Sequence, residues 1–325
     1  TITKKGNGKS ELSDMEELAD FTIAYTDDGK GVQTQELMFE AMEEARKLDK
    51  IIVAHCEDET LLKGGYIHDG KYAKAHNHKG ICSESEWIQV KRDVELAQKL
   101  GTKYHVCHVS TKESVEIIRN AKKMGVDVTC ETAPHYLILT DEDLKEEGRF
   151  KMNPPLRDVS DRDELIRGIK DGTIDMIATD HAPHSLEEKS KGLEKSPFGI
   201  VGLEIAFSLM YTHLVEKNII SLEKLLELMC IKPMKRFEID KYISIQRQLF
   251  ENNFDFKKKY IPNRDKNYYI HDNMNANFNI IDLNKEYIVD TDTFLSKGKA
   301  TPFEGDKLRG KVVRTILNGK TIWND

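Results

Sequence analysis

The sequence predicts an α/β protein built on a parallel sheet, and three observations carry that prediction. Five short apolar, β-branched runs recur between positions 20 and 185, amphipathic stretches of helical period separate them, and every run ends in polar residues. Near-continuous apolar runs suit strands covered on both faces, as βα units on a parallel sheet require.

The runs are FTIAYT (21–26), KIIVAH (50–55), KYHVCHV (103–109), VDVTCETA (126–133) and TIDMIAT (173–179). Helical patterns lie between them at 34–48, 85–100, 111–125 and 160–172, and Ser110 with Glu113 three residues on reads as a capping box for the third. Further helix-like segments follow at 202–216 and 221–230. Residues 241–276, rich in Asn, Lys and Tyr, have no period and read as an irregular insertion. The chain closes on alternating polar and apolar residues around Asn318-Gly319, a hairpin signal and hence a small β appendage. The expected organisation is 1–240, 241–276 and 277–325.

Bulk properties narrow the function. The 325 residues, 39% hydrophobic and 32% charged, support a large core, and 49 basic against 56 acidic residues give −7. No basic block points to nucleic acid, no apolar run reaches the ~18 residues of a membrane span, and no signal peptide is visible. Five cysteines at 56, 82, 107, 130 and 230, without a CxxC pair, suit a reducing cytoplasm and small core residues. Cys56 and Cys107, beside histidines, are the two of functional interest. Thr1 rather than Met opens the chain, as in a processed or truncated protein.

The strand ends hold the chemistry: DDG (27–29), HCED (55–58), HVST (108–111), ETAPH (131–135) and TDHAPH (179–184). In a parallel fold all carboxyl ends lie on one face, so these residues converge. Asp28, His55, His108 and Asp180 have the ligand types of a divalent metal such as Zn²⁺. Such a metal with an adjacent carboxylate is machinery for hydrolysing an amide or imide. Each residue also has a plain structural reading: His55 as a core histidine, Asp28 as a turn residue, Asp180 as the cap of the helix that follows. His105 reads as structural, and the HxH of His76 and His78 as surface. No HExxH helix is present.

Beyond these residues, DDGKGVQ, IVAHCED, YHVCHVSTKESVEIIRNAK, ETAPHYLIL, KMNPPLR, IATDHAPHSLEEK, PFGIVGLE and SKGKATPFEG together resemble the bacterial class I dihydroorotases. That family belongs to the amidohydrolase superfamily of metal-bearing (β/α)₈ TIM-type barrels. The resemblance runs from Thr1 to about Phe237 and resumes from about Asn277. It implies a zinc-dependent enzyme, with one or two Zn²⁺, that interconverts N-carbamoyl-L-aspartate and dihydroorotate in pyrimidine biosynthesis. It implies Asp28 as bridging ligand, His55 and His108 as ligands of the second zinc, and Asp180 as first-zinc ligand and catalytic acid/base. Asn153, His184 and the Phe198-Gly199 backbone are similar to substrate-binding positions, with His184 facing the substrate carboxylate.

The departures are equally specific. The family's opening HxH, the arginine after it and an asparagine after the second strand have no counterpart here. The resemblance therefore implies a barrel without its first three strands, with the strands of FTIAYT and TIDMIAT left as sheet edges. Two alternatives accompany this expectation. One is an inactive relative that scaffolds aspartate carbamoyltransferase, for which the missing HxH argues and intact Asp28, His55, His108 and Asp180 argue against. The other is a hydantoinase or allantoinase, which the Asp28 bridge and His184 disfavour. A homodimer is a further expected assembly.

Overall fold

A computed structural model describes residues 1–239 and 276–325. The expected insertion therefore lies outside the described residues except for Ala276. The described strands are β1 (Ala24–Tyr25), β2 (Ile51–Ala54), β3 (Ile67–His68), β4 (Gly80–Ile81), β5 (Tyr104–Val106), β6 (Val128–Thr132), β7 (Met176–Ile177), β8 (Phe278–Ile288), β9 (Lys307–Leu317) and β10 (Lys320–Asn324). The chain divides into two compact units, Thr1–Ala206 with Asp290–Glu304, and Phe207–Val289 with Gly305–Asp325.

In the first unit five strands form one parallel sheet in the order β1-β2-β5-β6-β7. The five apolar runs all become strands of this sheet, and β1 and β7 are its two ends. Helices Gln35–Lys47, Glu84–Leu100, Lys112–Lys123 and Val159–Asp171 follow β1, β4, β5 and β6. Their inward stripes are apolar: Met38, Ala41, Met42 and Ala45 on the first, and Val115, Ile118 and Ala121 on the third, are buried. A fully buried Met or Ile side chain is worth ~1.5–3 kcal/mol, so these stripes dock the helices. Thr34 and Asp158 cap two of the helices through their side chains.

The third helix starts differently from the expected capping box. Thr111, not Ser110, is its cap, and the Ser110 hydroxyl instead donates to Glu86. A buried carboxylate on the neighbouring helix outcompetes the local partner because it would otherwise lie uncompensated.

In the second unit β10-β9-β8 form an antiparallel sheet. Asn318 (φ +49°) and Gly319 (φ +75°) both sit in the left-handed region, which a two-residue type I′ hairpin turn requires, and they join β9 to β10 as expected. Gly310 (φ +83°) lies so close to Tyr211 that a Cβ there would meet the ring at 2.8 Å. Among the described residues no helix is long and apolar enough to cross a membrane.

Candidate metal centre

Parallel register puts the reactive residues at one level. Tyr25 pairs with Ile52, and Ala54 with Val106. The residues just past these strands, Asp28, His55 and His108, therefore share one end of the sheet. The two aspartates of DDG separate in role. Asp27 is buried, and its carboxylate accepts backbone N–H bonds from Ile2 (2.8 Å), Thr3 (3.1 Å) and Gly8 (3.0 Å). It fastens the loop from which Asp28 reaches the histidines.

His108 (φ +33°) and Asp180 (φ +46°) both hold a left-handed backbone that side chains seldom adopt. Such geometry costs on the order of 1–3 kcal/mol and persists only where the surroundings impose it. For His108 the imposing group is Glu86. Its buried carboxylate accepts the backbone N–H of Ser110 (3.1 Å) and Thr111 (3.0 Å), and the hydroxyls of Ser110, Thr111 and Ser114.

Three donor atoms converge. His55 Nδ1 lies 3.0 Å from His108 Nε2, which is 3.5 Å from Asp28 Oδ1, and the group falls within 4.8 Å overall. Those separations bracket the ~3.3 Å edge of a tetrahedron with ~2.0–2.1 Å zinc bonds, and two imidazoles with a carboxylate suit Zn²⁺. The residues present fit a metal. Asp28 is held below the usual carboxylate range, chiefly by its bond to His108, against the opposing effect of burial. Burial opposes charge on His108, yet the Asp28 bond and the charges of Asp180 and Asp28 prevail and raise it to about 9.

Asp180 stands outside that close trio but interacts electrostatically with His108, Asp28 and His55. Burial raises its pKa, against the pull of His108. It does not cap the next helix: Ser185 does, reciprocally with Glu188. His184 Nε2 donates to Phe198 O at 2.7 Å, and Gly199 N–H to Lys151 O at 3.1 Å. Gly199 (φ +121°) has no room for a side chain, since a Cβ would meet Ala182 O at 2.6 Å. Asn153 Nδ2 donates to Glu57 at 2.7 Å, and its Oδ1 is buried without a partner.

Several neighbours escaped sequence reasoning. Glu57 touches both Asn153 and His55, its Oε2 lying 3.7 Å from His55 Nε2, and it is held below the ordinary range because His55 and Asn153 outweigh its burial. Buried His135 is pushed down to about 3 by desolvation and by His108. Lys189 donates to the carbonyls of Lys151 (3.0 Å), Pro197 (2.9 Å) and Gly199 (2.7 Å), fastening the Phe198-Gly199 loop. The HCED and ETAPH motifs pointed at Glu57 and His135; nothing local marked the role of Lys189.

The decoys resolve into structure. His105 is a buried, satisfied histidine, bonded to Thr129 (2.8 Å) and Glu131 (3.3 Å). His76 is exposed and stacks on Tyr72, while His78 bonds Tyr66 (2.7 Å) and Glu146 (2.8 Å). Burial pushes the Cys56 and Cys107 thiols up, so neither is a thiolate. A second grouping, His68 with Asp158 and Asp161, already contains a cation: Arg157 Nη1 lies 3.2 Å from His68 Nδ1. Asp158 caps a helix and Asp161 accepts the Lys112 N–H at 2.9 Å.

Solved structures with the same fold define the class. L-hydantoinase from Arthrobacter aurescens superposes with a TM-score of 0.73 at 28% identity, over 93% of this chain and 63% of that one. Dihydropyrimidinase from Brevibacillus agri superposes at 0.75 and 21%, over 99% and 72%. The fold is that of the TIM-barrel amidohydrolases, with a small antiparallel sheet at the C-terminal end.

The chain belongs to the dihydroorotase family. It is 48% identical over 325 residues to the dihydroorotase of Fusobacterium nucleatum, covering 100% of this chain and 70% of that protein. It is 45% identical over 324 residues to that of Bacillus caldolyticus, covering 99% and 69%. A family model described as Dihydro-orotase-like matches residues 1–114. The chain is thereby a member of a family of cyclic amide hydrolases and spans about 70% of the length of these curated relatives.

Proposed function

We propose that this chain acts as a zinc-dependent dihydroorotase, converting dihydroorotate and N-carbamoyl-L-aspartate into one another in pyrimidine biosynthesis. The observation that carries the reading is the convergence of Asp28, His55 and His108 at the carboxyl end of β1, β2 and β5. In this reading those three hold zinc with help from Asp180. When bound, the metal supplies Lewis acidity that acidifies water towards pKa ~7 and polarises a carbonyl.

Asp180 is the acid/base. It takes a proton from the attacking water as the O–C bond forms and returns it to the ring nitrogen as the C–N bond breaks. Its raised pKa, the result of burial, suits it to hold that proton between the two events. His184 binds the substrate carboxylate. Its Nε2 donates to Phe198 O, so Nδ1, which lies 3.7 Å from Glu188 Oε2, donates to a carboxylate in the imidazolium form of the ring. Asn153 orients the ring, and the Phe198-Gly199 loop, braced by Lys189, forms the wall beside it.

The substrate is a small molecule, the compartment the cytoplasm, and the assembly a homodimer or a complex with aspartate carbamoyltransferase. The test is carbamoyl-aspartate cyclisation with zinc, with hydantoin as the control substrate. The preparations are residues 1–325 alone and the same residues preceded by the N-terminal part of a longer curated relative. Because among the described residues β1 and β7 each pair on one side only, the longer protein should be active and 1–325 should show little turnover. Hydantoin turnover without carbamoyl-aspartate cyclisation would overturn the reading.

A further inference from the structure

Glu57 lies between the metal cluster and the substrate side of the site. It is 6% exposed, and its backbone N–H is anchored to Gln89 Oε1 at 3.0 Å. The two oxygens of its carboxylate face different partners. Oε1 accepts from Asn153 Nδ2 at 2.7 Å, and Oε2 lies 3.7 Å from His55 Nε2. Those two partners carry buried polar atoms without a hydrogen bond, Asn153 Oδ1 and His55 Nε2.

The chemistry of each contact has one sense. Reversing the Asn153 amide would set two acceptor oxygens 2.7 Å apart, so the NH₂ faces Glu57 and Oδ1 is left as an acceptor for whatever enters. His55 Nδ1 belongs to the convergent trio, so Nε2 carries the proton, on the side of Glu57. A carboxylate behind a ligating histidine fixes its tautomer and raises its basicity.

We propose that Glu57 is a positioning residue that sets two groups at once: the ring of His55, with its Nδ1 lone pair towards the metal, and the amide of Asn153, with Oδ1 as acceptor for a ring N–H of the substrate. This rests on the dihydroorotase reading above. It adds a specificity: the site selects a cyclic amide bearing a free N–H over its N-alkylated analogue, because an N-methyl group leaves buried Asn153 Oδ1 unpaired.

Glu57→Gln separates the two roles. Glutamine keeps an acceptor at only one end, so either the Asn153 amide or the His55 tautomer must lose its support. Glu57→Ala removes both. The zinc-loaded protein, 1–325 preceded by the N-terminal part of the longer relative, is measured by zinc competition with a chelator, and by the ratio of kcat/KM for dihydroorotate to that for its ring-N-methylated analogues. E57A should weaken zinc roughly 10–100-fold and collapse the ratio, and E57Q should lower at least one of the two tenfold or more. Wild-type values of both in E57Q overturn the proposal. Thermal melting of E57Q, which preserves shape, guards against misfolding, and E57D serves in its place if it does not fold. Should the wild type turn over none of these compounds, the dihydroorotase reading falls and the zinc measurement alone decides the role of Glu57.

Discussion

His55 Nδ1 and His108 Nε2 lie 3.0 Å apart with their rings edge to face at 76°, although 53 residues separate them in the chain. Side-by-side parallel pairing of β2 and β5 produces the contact, and Asp28 from β1 closes the third side. Two imidazoles at that spacing either share a proton or share a cation.

If they share a cation, His55→Ala and His108→Ala should each weaken zinc by more than the ~10–100-fold typical of losing a partner behind a ligand. Chelator competition measures this. Zinc bound as tightly by either variant as by wild type would remove these residues from the centre.

Asp180→Asn keeps the shape of the side chain and abolishes its basicity. Turnover should fall roughly 10²–10⁴-fold from the lost acid/base role alone, with the circular dichroism spectrum unchanged. Near-normal turnover would leave Asp180 as a strained loop residue without a proton to carry.

His184→Ala should raise KM for the carboxylate-bearing substrate while zinc content survives. It also removes the bond to Phe198 O, so a few-fold loss of kcat is expected through the loosened loop. Stoichiometric loss of zinc in this variant would contradict its assignment to substrate.

A pH dependence is expected away from the site. Asp161 is buried, and desolvation raises its carboxyl to about 6 from 3.8. The folded state thus binds more protons than the unfolded one between those values, and stability falls as pH rises through that window. At 1.36 kcal/mol per unit the ionised carboxylate costs about 3 kcal/mol above pH 6. Asp161→Asn keeps the acceptor for the Lys112 N–H, so it should raise Tm at pH 8 and leave it nearly unchanged at pH 4. A gain at pH 4 equal to that at pH 8 would refute the linkage.

The hydrophobic period was legible in the sequence because it is local. The helices Gln35–Lys47, Glu84–Leu100, Lys112–Lys123 and Val159–Asp171 lie within a residue or two of the patterns that predict them. The strands β1 and β7 are shorter than their apolar runs chiefly at the start, since Phe21 closes a short helical turn before β1 and pairing of β7 with β6 begins only at Met176. Long-range partners were not legible. Ser110 carries a local capping signal, but Glu86 on another helix takes its hydroxyl. Glu57, Lys189 and His135 gain their significance from burial and from residues distant in sequence. His76 and His78 show the reverse: an HxH spacing that resembles chemistry and stacks on Tyr72 instead.

Residues Asp290–Glu304 belong to the first unit, yet they follow Ala206 by more than eighty positions. They back the loop that carries His184: Ala300 O accepts the Val201 N–H at 2.8 Å, and Gly298 lies so close to Pro183 and His184 that a Cβ would meet them at 2.7–2.8 Å. A ribosome adds ~5–20 residues per second, so on the order of ten seconds pass between the emergence of that loop and the arrival of its backing. During translation the His184 loop must therefore wait without that backing, held only by contacts such as His184 to Phe198 O, while the whole of Phe207–Val289 is synthesised. No single proteolytic cut between the units can release the first one intact.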